Sequence, residues 1–157
     1  MECNDVLRRI RYAFDYNDKT MVEIFKEGGV DMTQAGVVNR LKKEDGSGYK
    51  ECTKAHLTAF LNGLIVQKRG RKEEKPGQPK KVAETLNNNL IMKKLKIALD
   101  FKSEDMIEVL ELAGVEVSKS ELSAIFRKKG HRNYKECGDR YLRNFLKGMG
   151  IKYREEK

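Results

Sequence analysis

The sequence predicts an all-α protein: a tandem duplication of a four-helix unit, the two copies packed together with approximate twofold symmetry. Three observations carry this. A single register shift of about 85 residues aligns the halves without a gap over about 66 positions, roughly a quarter of them identical. Apolar residues recur at helical spacing four times in each half. No segment sustains the period-2 alternation of a half-buried strand.

The repeat is legible in short blocks. Asn4-Asp5-Val6-Leu7-Arg8-Arg9-Ile10-Arg11 matches Asn89-Leu90-Ile91-Met92-Lys93-Lys94-Leu95-Lys96. Tyr49-Lys50-Glu51-Cys52 returns unchanged as Tyr134-Lys135-Glu136-Cys137, and Phe60-Leu61-Asn62-Gly63 returns as Phe145-Leu146-Lys147-Gly148. The first helix of each copy is expected to start at an Asn cap, Asn4 or Asn89, because a short polar side chain can accept from an orphan N–H of the first turn. Val6, Leu7, Ile10, Ala13 and Phe14 then share one face, as do Ile91, Met92, Leu95, Ala98 and Leu99. The second helix begins near Asp18 or Ser103 and stops at Gly28-Gly29 or Gly114, where glycine permits a left-handed cap. Thr33 and Ser118 cap the third helix, and Ser118 with Glu121 has capping-box spacing. After a polar loop, the fourth helix starts near Thr53 or Gly138 and buries Leu57, Phe60, Leu61, Leu64 and Ile65, or Leu142, Phe145, Leu146 and Met149.

The expected organisation is a first helical repeat over 1–69, a charged linker over 70–86 that holds Pro76 and Pro79, and a second repeat over 87–157. Units of some 65 residues bury little surface alone, so the copies should dock on each other. Tyr12 and Ile97, apolar yet off the main stripe of the first helix, are candidates for that seam.

Composition sets the surface. The chain is 39% hydrophobic and 36% charged, so a core must coexist with a dense ionic exterior. No apolar run approaches the roughly 20 residues of a membrane helix. The acidic, polar opening Met1-Glu2-Cys3-Asn4-Asp5 is not a secretory signal. Cys3, Cys52 and Cys137 form neither a disulfide framework nor a C-x-x-C pair, which suits a reducing cytoplasm. A formal net charge of +9 favours acidic partners, nucleic acid before anionic membrane.

With these residues in place, the chain resembles the YehS-like family of uncharacterised bacterial proteins. The resemblance rests on the opening from Asn4 to Ala13, on Phe60-Leu61-Asn62-Gly63-Leu64-Ile65 running on to Lys68-Arg69-Gly70, and on Tyr134 to Asp139. It implies a small cytoplasmic protein carrying a duplicated domain of unknown function. It brings no activity and no catalytic residues.

The candidate functional residues are basic. Arg8, Arg9 and Arg11 fall outside the apolar stripe of the first helix, and Lys93, Lys94 and Lys96 repeat them. Lys68, Arg69, Arg71 and Lys72 close the first copy, with Lys80 and Lys81 beyond. Clustered cations suffice to neutralise phosphates. The second and third helices loosely resemble a helix-turn-helix, in which Gln34, Asn39 and Arg40, or Lys119, Ser120 and Arg127, would meet bases. The joining turn is longer than that motif's usual three or four residues. Cys52 and Cys137 precede the fourth helix, where a helix N-terminus can activate a thiol, although a small buried residue is the commoner role. His56 and His131 are not at matching positions, and the matched carboxylates Asp15/Asp100 and Glu23/Glu108 read as surface groups. No catalytic, cofactor-binding or metal residues are assigned. The leading expectation is therefore a cytoplasmic non-enzymatic module that binds DNA or RNA through duplicated basic helices. An adaptor for another protein is the alternative, and a thiol-dependent enzyme or redox protein comes third.

Overall fold

The computed structural model of the chain describes residues 1–70 and 85–155. Among them lie eight α-helices and no strand: α1 (Cys3–Phe14), α2 (Asp18–Glu27), α3 (Gln34–Leu41) and α4 (Lys54–Arg69), then α5 (Asn88–Leu99), α6 (Ser103–Leu112), α7 (Lys119–Phe126) and α8 (Asp139–Gly150). A π-helical turn, Ile151–Glu155, extends α8. Every helix of the first repeat thus has its counterpart, in the same order, in the second.

The local signals set the helix ends. Thr33 Oγ1 accepts from Gly36 N at 3.0 Å, and Ser118 Oγ accepts from Glu121 N at 3.1 Å. Glu121 does not complete the expected box, so its carboxylate is left free for other contacts. At the head of α4 the box is formed by a different pair: Thr53 Oγ1 accepts from His56 N and His56 Nδ1 accepts from Thr53 N, 3.1 Å each. Asp15 and Asp100 end α1 and α5 in the left-handed conformation, φ 54° and 55°. Asp tolerates that region because its short polar side chain can bond locally.

Asn4 and Asn89 are not caps. The cap position of α1 is Glu2, and that of α5 is Asn87, whose Oδ1 accepts from Leu90 N at 2.8 Å. Both expected caps sit inside their helices, 1% and 9% exposed. The reason is long-range. Asn4 Nδ2 donates to the carbonyls of Arg40 and Lys50, 2.9 Å each, and its Oδ1 accepts from Cys52 N at 2.9 Å. Asn89 repeats this on Ile125 O (2.9 Å), Lys135 O (2.8 Å) and Cys137 N (2.9 Å). A buried amide satisfied at both ends is stable where an unpaired one is costly. Each Asn therefore pins the end of the third helix and the segment before the fourth onto the first helix.

Glycine sets how closely helices approach. A Cβ on Gly63 would lie 1.8 Å from Ile24 O, and one on Gly148 would lie 2.0 Å from Val109 O. The fourth helix thus rests on the backbone of the second in both copies. Phe60 and Phe145 are fully buried at matching places, as their stripe predicts.

One continuous core draws on both repeats. Helix α4 packs on α5, and α1 packs on α8 and its π-helical extension. These are the same pair of elements seen from either copy, and such reciprocity is the signature of a twofold. The seam is latched at both ends. Arg69 Nη1 donates to Ile97 O at 3.2 Å and lies 3.5 Å from Asp100; Arg154 Nη1 donates to Tyr12 O at 3.1 Å and lies 3.5 Å from Asp15. Each guanidinium thus meets the negative end of the other copy's first helix. Tyr12 and Ile97 do border this seam, but at its rim: they stay 45% and 37% exposed. No helix among the described residues is long and apolar enough to cross a membrane.

Candidate functional site

The structure gives most of the sequence-predicted basic residues a protein partner. Arg8 Nη1 donates to Lys42 O at 2.9 Å and Nη2 lies 3.3 Å from Asp5, which also takes Arg9 at 3.4 Å. Arg11 lies 3.4 Å from Asp18. Lys68 stands 4.3 Å above the Phe14 ring, and burial pushes its ammonium pKa down. Arg69 holds the seam. Lys94 Nζ donates to Asn62 Oδ1 at 2.6 Å, and Lys96 lies over Phe126 at 5.2 Å. Among the described members of the set, Lys93 is exposed with no such partner. Arg71, Lys72, Lys80 and Lys81 lie outside the described residues.

The corner between the second and third helices separates the two copies. Arg40 is half-buried and folds back on its own helix, donating to Gly36 O at 3.1 Å. Asn39 is half-buried and gives its carbonyl to Lys50 N at 3.1 Å, while Gln34 is exposed. In the second copy Lys119 reaches Glu104 at 3.2 Å, and Ser120 and Arg127 are exposed. From Arg127 a run of exposed cations follows that the basic-helix reading did not single out: Lys128, Lys129, Arg132 and Lys135, then Arg140, Arg143 and Lys147 along one face of α8. None of these makes an ion pair among the described residues. The matching loop of the first copy interposes Glu44 and Asp45, where the second has Lys129 and Gly130. That difference in charge was readable from the aligned repeats.

Cys52 and Cys137 are 2% and 6% exposed, with each backbone N–H held by the buried Asn. Burial pushes both thiols up to about 12, the reverse of what a thiolate nucleophile needs. Cys137 forms part of the wall of a cleft of about 460 Å³ between α7, the loop after it and α8, lined also by Val115, Glu121, Ile125, Lys135, Tyr141 and Asn144. The Tyr141 hydroxyl is shut off from solvent yet has no hydrogen-bond partner, and burial, with lesser contributions from Cys137 and Glu121, pushes it up to about 12.

Comparison with known proteins agrees with the two-copy architecture. A family model described as a protein of unknown function (DUF1456) matches residues 3–70 and again residues 88–155. Over 158 residues the chain is 38% identical to an uncharacterized protein, YehS, of Escherichia coli strain K12, covering 100% of this chain and 99% of that one. The chain belongs to the DUF1456 family. No solved structure matches it.

Within this DUF1456 protein the duplicated positions divide by role. Residues kept identical between copies include the buried Asn, the Cys whose N–H it holds, the glycine under the second helix and the Arg latch. These are the parts that assemble the fold. The corner holding the cleft keeps Lys135, Glu136 and Cys137 in common with the first copy but differs at Glu121, Ile125, Arg140 and Tyr141, and so does the basic loop beside it at Lys129 and Arg132.

Proposed function

We propose that the protein is a non-enzymatic nucleic-acid-binding module whose contact surface lies on the second repeat. The loop from Arg127 to Lys135 and the α8 face carrying Arg140, Arg143 and Lys147 form that surface. One observation supports it: these cations are exposed and make no ion pair among the described residues, whereas Arg8, Arg9 and Arg11 are held by Asp5 and Asp18. Positions 140, 143 and 147 follow the spacing of a single helix stripe, so they can track a phosphate backbone together. Lys93 is the described member of the first-helix set left exposed and without an ion pair.

Fluorescence anisotropy with labelled single-stranded and duplex oligonucleotides tests this across a salt series. Electrostatic binding must weaken linearly in log salt, and removing one cation that neutralises a duplex phosphate should flatten the slope by about 0.9. Reversing Arg127, Lys128, Lys129 and Arg132 to Glu should abolish binding with the helical circular dichroism intact. No retention of DNA or RNA by the wild-type protein at about 50 mM salt, where such binding is strong, would remove the reading and leave the adaptor role in first place.

A further inference from the structure

The cleft in the second repeat has an internal comparison, because the first repeat builds the same corner from different residues. We infer that it is a receptor for an arginine side chain of a partner polypeptide. In the first copy the equivalent of Ile125 is Arg40, that of Glu121 is Gly36, and that of Tyr141 is His56. Arg40 folds into its own copy's corner: Nη1 donates to Gly36 O at 3.1 Å, Nε is shut off from solvent without a hydrogen-bond partner, and its charge acts on both Cys52 and His56. The first repeat therefore carries a guanidinium where the second has the short, buried Ile125, 4% exposed, at the wall of an open cleft.

The substitutions around the vacated position suit a guanidinium arriving from outside. Glu121 adds a carboxylate where Gly36 offers only backbone, and it makes no ion pair among the described residues. The Tyr141 hydroxyl behind the cleft wall is buried without a partner, a state that costs free energy. Val115, Ile125 and the Tyr141 ring offer apolar surface to the aliphatic stem of an arginine, while its planar fork can bond the exposed Glu121 carboxylate. Lys135 and Arg140 occupy the exposed rim, with Glu136 between them in sequence. They define the opposing expectation, an acidic occupant. Arginine capture by the cleft does not rest on the nucleic-acid reading, although the two surfaces share Lys135 and Arg140.

Titration of the 15N-labelled full chain with acetyl-Ala-Arg-Ala-amide, read by amide chemical shifts, tests the inference. Its Lys and Glu analogues are titrated in parallel. The expected result is saturable shifts at Glu121, Ile125, Tyr141 and Asn144 with the Arg peptide, weaker shifts with Lys and none with Glu. Ile125→Arg should plug the cleft in cis, as Arg40 does in the first copy, and abolish the response. Glu121→Gln, at an exposed position that does not disturb packing, should weaken binding at least about fivefold, the loss of one charge-assisted bond. No shifts with the Arg peptide, equal or tighter binding of the Glu peptide, or a Glu121→Gln variant that binds as well as wild type would each overturn it.

Discussion

Removing the Asn4 side chain should unfasten the first repeat from within. In Asn4→Ala, the Arg40 and Lys50 carbonyls and the Cys52 N–H lose a partner together. Asn4 is 1% exposed and Cys52 2%, so water cannot readily replace the amide. An orphaned buried group costs about 1–3 kcal/mol, and the two carbonyls lie nearer solvent than the N–H. Taking the low end for the carbonyls and the upper half for the N–H gives a loss of about 4 kcal/mol. Marginal stabilities of about 5–15 kcal/mol make this a large fraction of the whole. Urea unfolding followed by far-UV circular dichroism reads it as a lower midpoint at unchanged slope. Asn4→Asp separates donor from acceptor. It keeps the acceptor for Cys52 N–H but sets a carboxylate against two carbonyls, so it should lose at least as much as Ala. Asn89→Ala should lose slightly less, because Asn89 is 9% exposed and lacks the extra bond that Tyr49 Oη donates to Asn4 at 3.3 Å. A loss below about 1 kcal/mol for Asn4→Ala, or an Asp variant as stable as wild type, would refute the role assigned to the amide.

Gly148→Ala and Gly63→Ala should each destabilise the chain by about 3 kcal/mol, since the new methyl meets a helix backbone that cannot yield locally; thermal unfolding measures it, and unchanged midpoints would show that α8 and α4 stand off from α6 and α2. Stability should fall as pH rises from about 9 towards 12. Burial raises the folded-state pKa of Cys52, Cys137, Tyr141 and Tyr153 to about 12, so the unfolded chain sheds these protons first and gains from alkali. Urea midpoints across that range check the sign. Native Cys52 and Cys137 should likewise resist iodoacetamide at pH 8 and react on unfolding.

The repeat and the helix order were legible because both are local or additive signals. A register shift that aligns Tyr49–Cys52 with Tyr134–Cys137 needs no three-dimensional knowledge, and Thr33 and Ser118 cap their helices within three residues. Asn4 and Asn89 misled because an Asn near a helix start is most often a cap. Their partners lie 36 to 48 residues away, beyond any window of periodicity. The one available hint was that the Asn recurs with the Cys it holds. The helical wheel had a similar blind spot. It correctly put Arg8, Arg9 and Arg11 outside the apolar stripe, yet said nothing of what they would meet. Asp5, four residues before Arg9, is one such neighbour; the second copy has Leu90 in its place, which is why Lys93 is free where Arg8 is not.

The two copies are also a control for each other. A twofold seam made from α1, α4, α5 and α8 constrains both copies alike: Arg69 meets Ile97 and Asp100 on one side as Arg154 meets Tyr12 and Asp15 on the other. Outer corners carry no such constraint, and there the copies part. Gly36, Arg40 and His56 make a corner filled by its own arginine, beside a loop whose Lys42 and Lys43 are offset by Glu44 and Asp45. Glu121, Ile125 and Tyr141 make one that stands open, beside a loop with Arg127, Lys128 and Lys129 and no acid before Glu136. Stability alone supplies no reason for the second arrangement: it leaves a buried hydroxyl unbonded and positive charges crowded on one loop, each of which costs free energy. The first copy builds the same frame with its own arginine in the corner, although the Arg40 Nε is itself buried without a hydrogen-bond partner. A ligand that neutralises the loop recovers part of what the fold gives up, and the exposed Glu121 carboxylate is open to one, which favours the outer corner of the second repeat as the surface to test first.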